Sequence, residues 1–148
     1  MKLRMRIEGE RELRRKLDRL AKGPRQAAVE QALRAGAEII AERARANVAV
    51  RSGQLRDSID VGTNLKHFGP VFADGMVGLG SGRVEGRGVA VYVGPTAPDG
   101  FYGHMVEFGT INAPAHPFMR PAFETSRAAA QQAIVAELRR AIDDLGKS

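Results

Sequence analysis

The chain has 148 residues, enough for one domain spanning 1–148 with a real core, since a domain near this size buries roughly 70% of its unfolded surface. It carries 23 Lys and Arg against 17 Asp and Glu, a formal charge of +6, and no cysteine, which excludes disulfides and thiolate metal sites and fits a reducing compartment. The positive balance permits nucleic acid as a neighbour without demanding it. No apolar run approaches the ~18 residues of a membrane span, and Ile7, Glu8, Gly9 and Glu10 interrupt the start before a signal peptide's apolar region can develop. A soluble product, initially cytoplasmic, is expected.

In residues 1–7, Leu3, Met5 and Ile7 alternate with Lys2, Arg4 and Arg6, a period of two that predicts a short half-buried strand. Its basic outer face suits a sheet edge. Over 10–21, Leu13, Leu17 and Leu20 recur at helical spacing among charges, which predicts a short amphipathic helix ended by Gly23 and Pro24. The first long helix is predicted over 24–50. Val29, Leu33, Ile40, Ala44 and Val48 form its stripe, and Ala32, Gly36 and Ala37 are small enough to let another helix or a sheet approach closely. Glu38, Glu42, Arg34 and Arg45 make its solvated side, where pairs four apart such as Glu30 and Arg34 add only about 0.2–0.5 kcal/mol.

Arg51, Ser52 and Gly53 break that helix, and 55–61 reads as a strand, although Asp57 spoils the alternation of Leu55, Ile59 and Val61. Residues 62–88, with glycines at 62, 69, 75, 78, 80, 82, 86 and 88, read mostly as a long flexible hairpin or loop, with room for one strand near 71–79. Val89, Val91 and Val93 alternate with Ala90 and Tyr92 in a clearer strand over 88–94, closed by Gly94 and Pro95. The last helix is predicted over 121–145, where Phe123, Ser126, Ala130, Ile134, Leu138, Ile142 and Leu145 share one face and Gly146 is the stop. The whole predicts an α+β fold: long helices packed on one face of a small, mostly antiparallel sheet, with a long Gly-rich hairpin or loop.

Between those last two elements lies 102–123, YGHMVEFGTINAPAHPFMRPAF. Its prolines at 114, 117 and 121 exclude one uninterrupted helix or a central strand. Glu107, Phe108, Gly109 and Thr110 read as the end of a short helix, with Gly109 free to turn left-handed. Pro121 suits the first turn of the next helix. The segment is expected to act as a latch that fixes how the last helix docks, with Phe108, Phe118 and Phe123 as core anchors.

The chemistry of catalysis is not legible here. His67, His104 and His116 have no second histidine at zinc-ligand spacing. The glycines at 78, 80 and 82 are followed by Glu85 where a dinucleotide fingerprint requires a third glycine. Ser52 and Ser81 sit in turns without a nucleophile elbow. No cofactor is called for. Basic residues crowd the start, Arg11, Arg14, Arg15, Lys16 and Arg19 among them, but no aromatic falls before Phe68, whereas a nucleic-acid reader more often interleaves the two.

Three passages, in order, resemble one family: VRSGQLRDSI at 50–59, YGHMVEFGT at 102–110 and PAHPFMRPAF at 114–123. The residues that carry the likeness are Arg51, Ser52, Gly53, Leu55 and Arg56, then Tyr102, Glu107, Phe108, Gly109 and Thr110, then Pro114, Pro117, Phe118, Arg120, Pro121 and Phe123. Each motif is modest alone, but the ordered set, placed between two long helices, is specific. It looks like the siphophage neck and tail-component family typified by gene product ten of coliphage Hong Kong ninety-seven, over the chain from about Glu10 to its end. The resemblance implies a structural, non-enzymatic virion protein of a tailed phage or prophage, assembled in the host cytoplasm and placed at the head–tail junction. There it would act as a neck, tail-completion or tail-terminator protein. Such proteins work as homo-oligomeric rings, commonly hexamers, between a head-closure or connector protein and the major tail tube protein. Genomic DNA passes through the lumen, and no membrane is involved.

The Gly-rich segment 62–88 looks longer than the family's usual hairpin. On the ring reading it is expected to be mobile in the monomer and ordered by a neighbouring subunit or by the tail tube. The arginines at 11, 14 and 15 are expected to point away from the lumen, because a basic conduit would grip DNA. Glu107 and Arg120 are expected to pair, within the subunit or across a ring contact. The competing reading is a small basic nucleic-acid-binding protein. A hydrolase using Glu107 or His104 would need a pocket that nothing in the sequence predicts.

Overall fold

The two longest predicted helical stretches form the two long helices and most of the core. A computed structural model describes residues 2–4, 10–20, 22–48, 53–64, 82–86, 89–96 and 100–146. In chain order these form β1 (Lys2–Arg4), α1 (Glu10–Asp18), α2 (Lys22–Asn47), α3 (Gln54–Ser58), β2 (Ile59–Gly62), β3 (Gly82–Gly86), β4 (Val89–Pro95), α4 (Gly100–Phe108) and α5 (Met119–Gly146).

Helix α2 is buried on more than one side: Ala28, Val29, Ala32, Leu33, Gly36, Ala37, Ile40, Ala41 and Ala44 are all inside. That pattern follows from its place between two layers. The sheet lies against α2, chiefly through β4 and β2, and α5 runs along α2 on another side. A Cβ built on Gly36 would stand 2.5 Å from Ile134 Cδ1 and 3.0 Å from the Ala130 carbonyl oxygen, so only glycine permits this approach of the two helices. The face of α5 is the predicted one, with Phe123, Ser126, Ala130, Ile134, Leu138 and Ile142 buried. At about 1.5–3 kcal/mol per fully buried large aliphatic side chain, Leu33, Ile40 and Ile134 alone make this seam a main source of stability.

The sheet has four strands in the order β1-β3-β4-β2. β4 pairs antiparallel with both neighbours, Val84 opposite Val91 and Val61 opposite Val93, while β1 pairs parallel with β3. Thus β1 takes the expected edge. The fold is α+β, with a small, mostly antiparallel sheet whose helical cover is α2 directly and α5 through α2.

Three expectations need correction. Residues 55–58 are not strand. Gly53 adopts a left-handed backbone (φ 80°) and starts the single turn of α3, in which the Asp57 amide donates to the Gly53 carbonyl at 2.9 Å. The apparent alternation of Leu55 with Asp57 is a helical turn that buries Leu55 and Ser58 and exposes Asp57; the strand begins only at Ile59. Second, the Gly-rich segment 62–88 carries a strand where none was expected: Gly62 ends β2, and Gly82–Gly86 forms β3, which joins β1 to β4. The strand expected at 71–79, and the expected flexibility of this stretch, lie outside the described residues. Third, Arg45 does not simply face solvent. Its guanidinium donates to the Ile59 carbonyl from Nη2 at 2.8 Å and from Nε at 3.3 Å, which ties the end of α2 to the start of β2.

Candidate functional site

The start of α5 poses a problem that the latch solves. The first four amides of any helix lack a partner within it. Here they belong to Phe118, Met119, Arg120 and Pro121. Proline has no N–H, so one of the four is removed at source. The other three all donate to one carboxylate: Phe118 and Met119 to Glu107 Oε2 at 2.8 and 2.9 Å, and Arg120 to Oε1 at 2.9 Å. Glu107 is 3% exposed, so a charge buried in the protein is held by three amide donors and by the positive end of the helix dipole. Every orphan donor at this helix start is accounted for.

Local sequence explains how Glu107 reaches that position. Helix α4 ends at Phe108, and Gly109 takes φ +77° and donates its amide to the Met105 carbonyl at 2.9 Å. A Cβ on Gly109 would lie 2.8 Å from the Ala115 amide nitrogen, so this turn is closed to other residues on two counts. Thr110 and Ala113 then form a tight bridge with amide–carbonyl distances of 2.9 and 3.3 Å, and His116 donates its amide to the Val106 carbonyl at 2.8 Å. The chain thus folds back on α4 and delivers Phe118 to the Glu107 carboxylate. From the other side, Asn47 at the end of α2 donates its side-chain amide to the Phe118 carbonyl at 3.2 Å.

The three sequence passages that suggested a common origin meet here. A Cβ on Gly103 in α4 would stand 2.7 Å from Pro95 Cγ and 3.2 Å from Leu55 Cδ1, so α4 sits directly on α3 and on the end of β4. Gly53 and Leu55 are buried, Leu55 against α4, and Arg56 beside them is half-buried, its Nε 3.1 Å from Asp57 Oδ1. Phe118 and Phe123 are core anchors as expected. Thr110, Pro114 and Pro117 are exposed, and Pro121 is half-buried in the first turn of α5. Arg51 and Ser52, and the side chains of Tyr102 and His104, lie outside the described residues.

Two expectations at this site fail. Phe108 is 55% exposed rather than a core anchor, because α4 turns Glu107 and Gly103 inward and position 108 outward. Within the subunit, Arg120 does not pair with Glu107 as one of the two expected alternatives had it: its guanidinium pairs with Glu124 at 3.6 Å, on an exposed face, and it offers Glu107 only its backbone amide. Among the described residues, the Glu107 carboxylate has its three amide donors and no cation. Arg45, placed by the sequence on the solvated side of α2, and Asn47, which the sequence did not single out, prove to tie that helix to β2 and to the start of α5; a carbonyl partner leaves no pattern in sequence. Among the described residues there is no cluster of three or more side chains able to hold a metal ion, and no helix long and apolar enough to cross a membrane.

This is a site that binds elements of its own chain, and one comparison with known protein families covers two of the three passages that build it. A family model described as "Bacteriophage HK97-gp10, putative tail-component" matches residues 11–109. No curated protein and no solved structure matches the chain. The matched span runs from α1 through β2, β3, β4 and α4 to Gly109, and so includes Glu107 but neither β1 nor the third passage, 114–123, to which the resemblance is expected to extend. The chain belongs to the HK97-gp10-like family of bacteriophage tail components.

Proposed function

We propose that the protein is a structural component of a phage virion that assembles as a homo-oligomeric ring, commonly sixfold, at the head–tail junction. In this reading it serves as a neck, tail-completion or tail-terminator protein, seated between a head-closure or connector protein and the major tail tube protein, with the genome passing through its lumen. The observation that carries the reading is the family match across α1 to α4. The geometry supports it: the most organised polar site in the described chain holds one helix on another and presents nothing to a substrate.

A ring closes through two different surfaces on each subunit. The exposed basic residues of α1, Arg11, Arg15 and Lys16, fit a role in such contacts or on the outer wall. A lumen lined by them would hold DNA by its phosphates rather than let it slide.

Deleting the gene from the phage or prophage that carries it tests the reading. Filled heads lacking tails, or tails of irregular length, are expected in electron micrographs, with six copies per particle by quantitative mass spectrometry in the wild type. Normal particles without the protein would overturn it. Steep, salt-sensitive binding of duplex DNA by the isolated protein would instead favour a nucleic-acid-binding role.

A further inference from the structure

β2 ends the sheet in the order β1-β3-β4-β2, so one side of it meets no strand among the described residues. A bare edge of this kind is a template on which another chain can add a strand. The register shows which backbone groups would serve. Ile59 lies opposite Pro95, Asp60 opposite Gly94 and Val61 opposite Val93. One step earlier, the Thr96 amide donates to the Ser58 carbonyl at 2.9 Å, so 58 and 96 form a hydrogen-bonded pair. Such pairs alternate with non-bonded ones along an antiparallel ladder. Asp60 therefore turns its N–H and C=O toward β4, and Ile59 and Val61 turn theirs toward the open edge. Pro95, with no N–H to give, stands opposite Ile59, where the ladder calls for none.

Three of those four outward groups, all but the Val61 carbonyl, are held by the chain itself. The Ile59 amide donates to the Arg56 carbonyl as α3 ends. The Ile59 carbonyl accepts from the Arg45 guanidinium, Nη2 at 2.8 Å and Nε at 3.3 Å. The Val61 amide donates to Asp60 Oδ1 at 2.8 Å. An arriving strand would have to displace a charged donor and a charged acceptor, whose hydrogen bonds are roughly twice as strong as the neutral ones that would replace them. We propose that Arg45 and Asp60 seal the β2 edge against a second copy of this chain, so that copies lying side by side do not pair through it. The opposite edge is guarded differently: β1 is 3 residues long and two of them, Lys2 and Arg4, are basic. The seal is a property of one subunit and holds whether or not copies close into a ring.

Sedimentation velocity of the purified protein across a concentration series tests the seal. Arg45→Met combined with Asp60→Ala frees the Ile59 carbonyl and the Val61 amide together. This double variant is expected to form species larger than those of the wild type as concentration rises. Its Val61 amide should exchange at least about tenfold more slowly in the associated sample than in the dilute one. Asp60→Ala alone changes only an exposed side chain, so it should fold as the wild type does and associate in the same way, to a lesser extent. Asp60→Asn removes the charge but keeps an oxygen for the Val61 amide, and should sediment as wild type. Gly36→Ala, which strains the core with the seal intact, should do the same. Wild-type sedimentation of both Asp60→Ala and the double variant would overturn the seal. So would association of Asp60→Asn equal to that of Asp60→Ala, which would make Asp60 a matter of charge repulsion, or association of Gly36→Ala, which would trace the effect to lost stability. Larger species without slower exchange at Val61 would overturn it as well, since they would form through another surface.

Discussion

Replacing Glu107 tests the latch most directly. In Glu107→Gln one side-chain position keeps an oxygen and can still accept from two amides, but the other becomes an NH₂ facing the Arg120 amide. One bond to an ionised acceptor is lost outright, a cost of about 1.5–3 kcal/mol. The remaining two pass from charge-assisted to neutral, which roughly halves their strength. The sum is about 3–6 kcal/mol, and for a chain of this size about 2–4 °C per kcal/mol gives a fall in Tm of roughly 6–24 °C. Glu107→Ala should cost more, because all three amides at the start of α5 lose their acceptor where Phe118 and Met119 are fully buried. Arg120→Gln is the control: it removes only an exposed pair with Glu124, and such pairs contribute about 0–1 kcal/mol. Thermal unfolding followed by circular dichroism measures all three, and amide hydrogen exchange at 118–120 localises the effect. If Glu107→Gln and Glu107→Ala both unfold within 2 °C of wild type, the carboxylate does not hold the helix and the account of this site is wrong.

Other substitutions probe the remaining ties. Gly36→Ala gains up to about 1 kcal/mol of helix propensity but drives a methyl into Ile134 and the Ala130 carbonyl, and overpacking of about 1–3 kcal/mol should win. Urea titration should show a lower midpoint, restored in part by adding Ile134→Val. Gly109→Ala and Gly53→Ala share a left-handed backbone but differ in surroundings: the first meets the Ala115 backbone at 2.8 Å, the second a movable Arg56 guanidinium at 3.0 Å. Both should lose about 1–2 kcal/mol for the backbone, and Gly109→Ala visibly more in the same titration. Arg45→Met should lose about 1–2 kcal/mol with its bonds to the Ile59 carbonyl, and Arg45→Lys less, if a lysine ammonium reaches the same oxygen.

Much of this was legible because periodicity and special backbone residues act locally. The stripes of α2 and α5 are set by 3.6-residue spacing, and the stop at Gly109 follows from the one residue that tolerates its φ. What escaped depends on partners distant in sequence. Leu55, Asp57 and Ile59 alternate like a strand, yet Gly53 provides a helix start that the short pattern cannot reveal. Phe108 is apolar in a motif that bends inward, but only the phase of α4 decides that Glu107, not Phe108, is buried. The bond from Arg45 to Ile59 and that from Asn47 to Phe118 end on carbonyls, which every residue possesses, so neither leaves a trace in composition. In the segment 102–123 an acidic and a basic residue suggest a salt bridge, while within the subunit the Glu107 carboxylate meets three backbone amides at the start of α5.

That distinction has a consequence for how α5 is specified. A carboxylate that binds backbone amides makes no demand on the side chains at 118–120 beyond their having N–H groups, and none on position 121, where proline removes an amide that would otherwise need an acceptor. Arg120→Pro against Arg120→Ala isolates this requirement. Both delete the guanidinium, and proline is sterically tolerated in a first helical turn, but only proline deletes the amide that meets Glu107 Oε1 at 2.9 Å. The proline variant should therefore be less stable than the alanine variant by about 1.5–3 kcal/mol, the worth of one bond to an ionised acceptor. In a Glu107→Ala background, with no acceptor left to satisfy, that difference should collapse. A difference that persists there would mean that proline acts through the backbone conformation of the turn rather than through the latch.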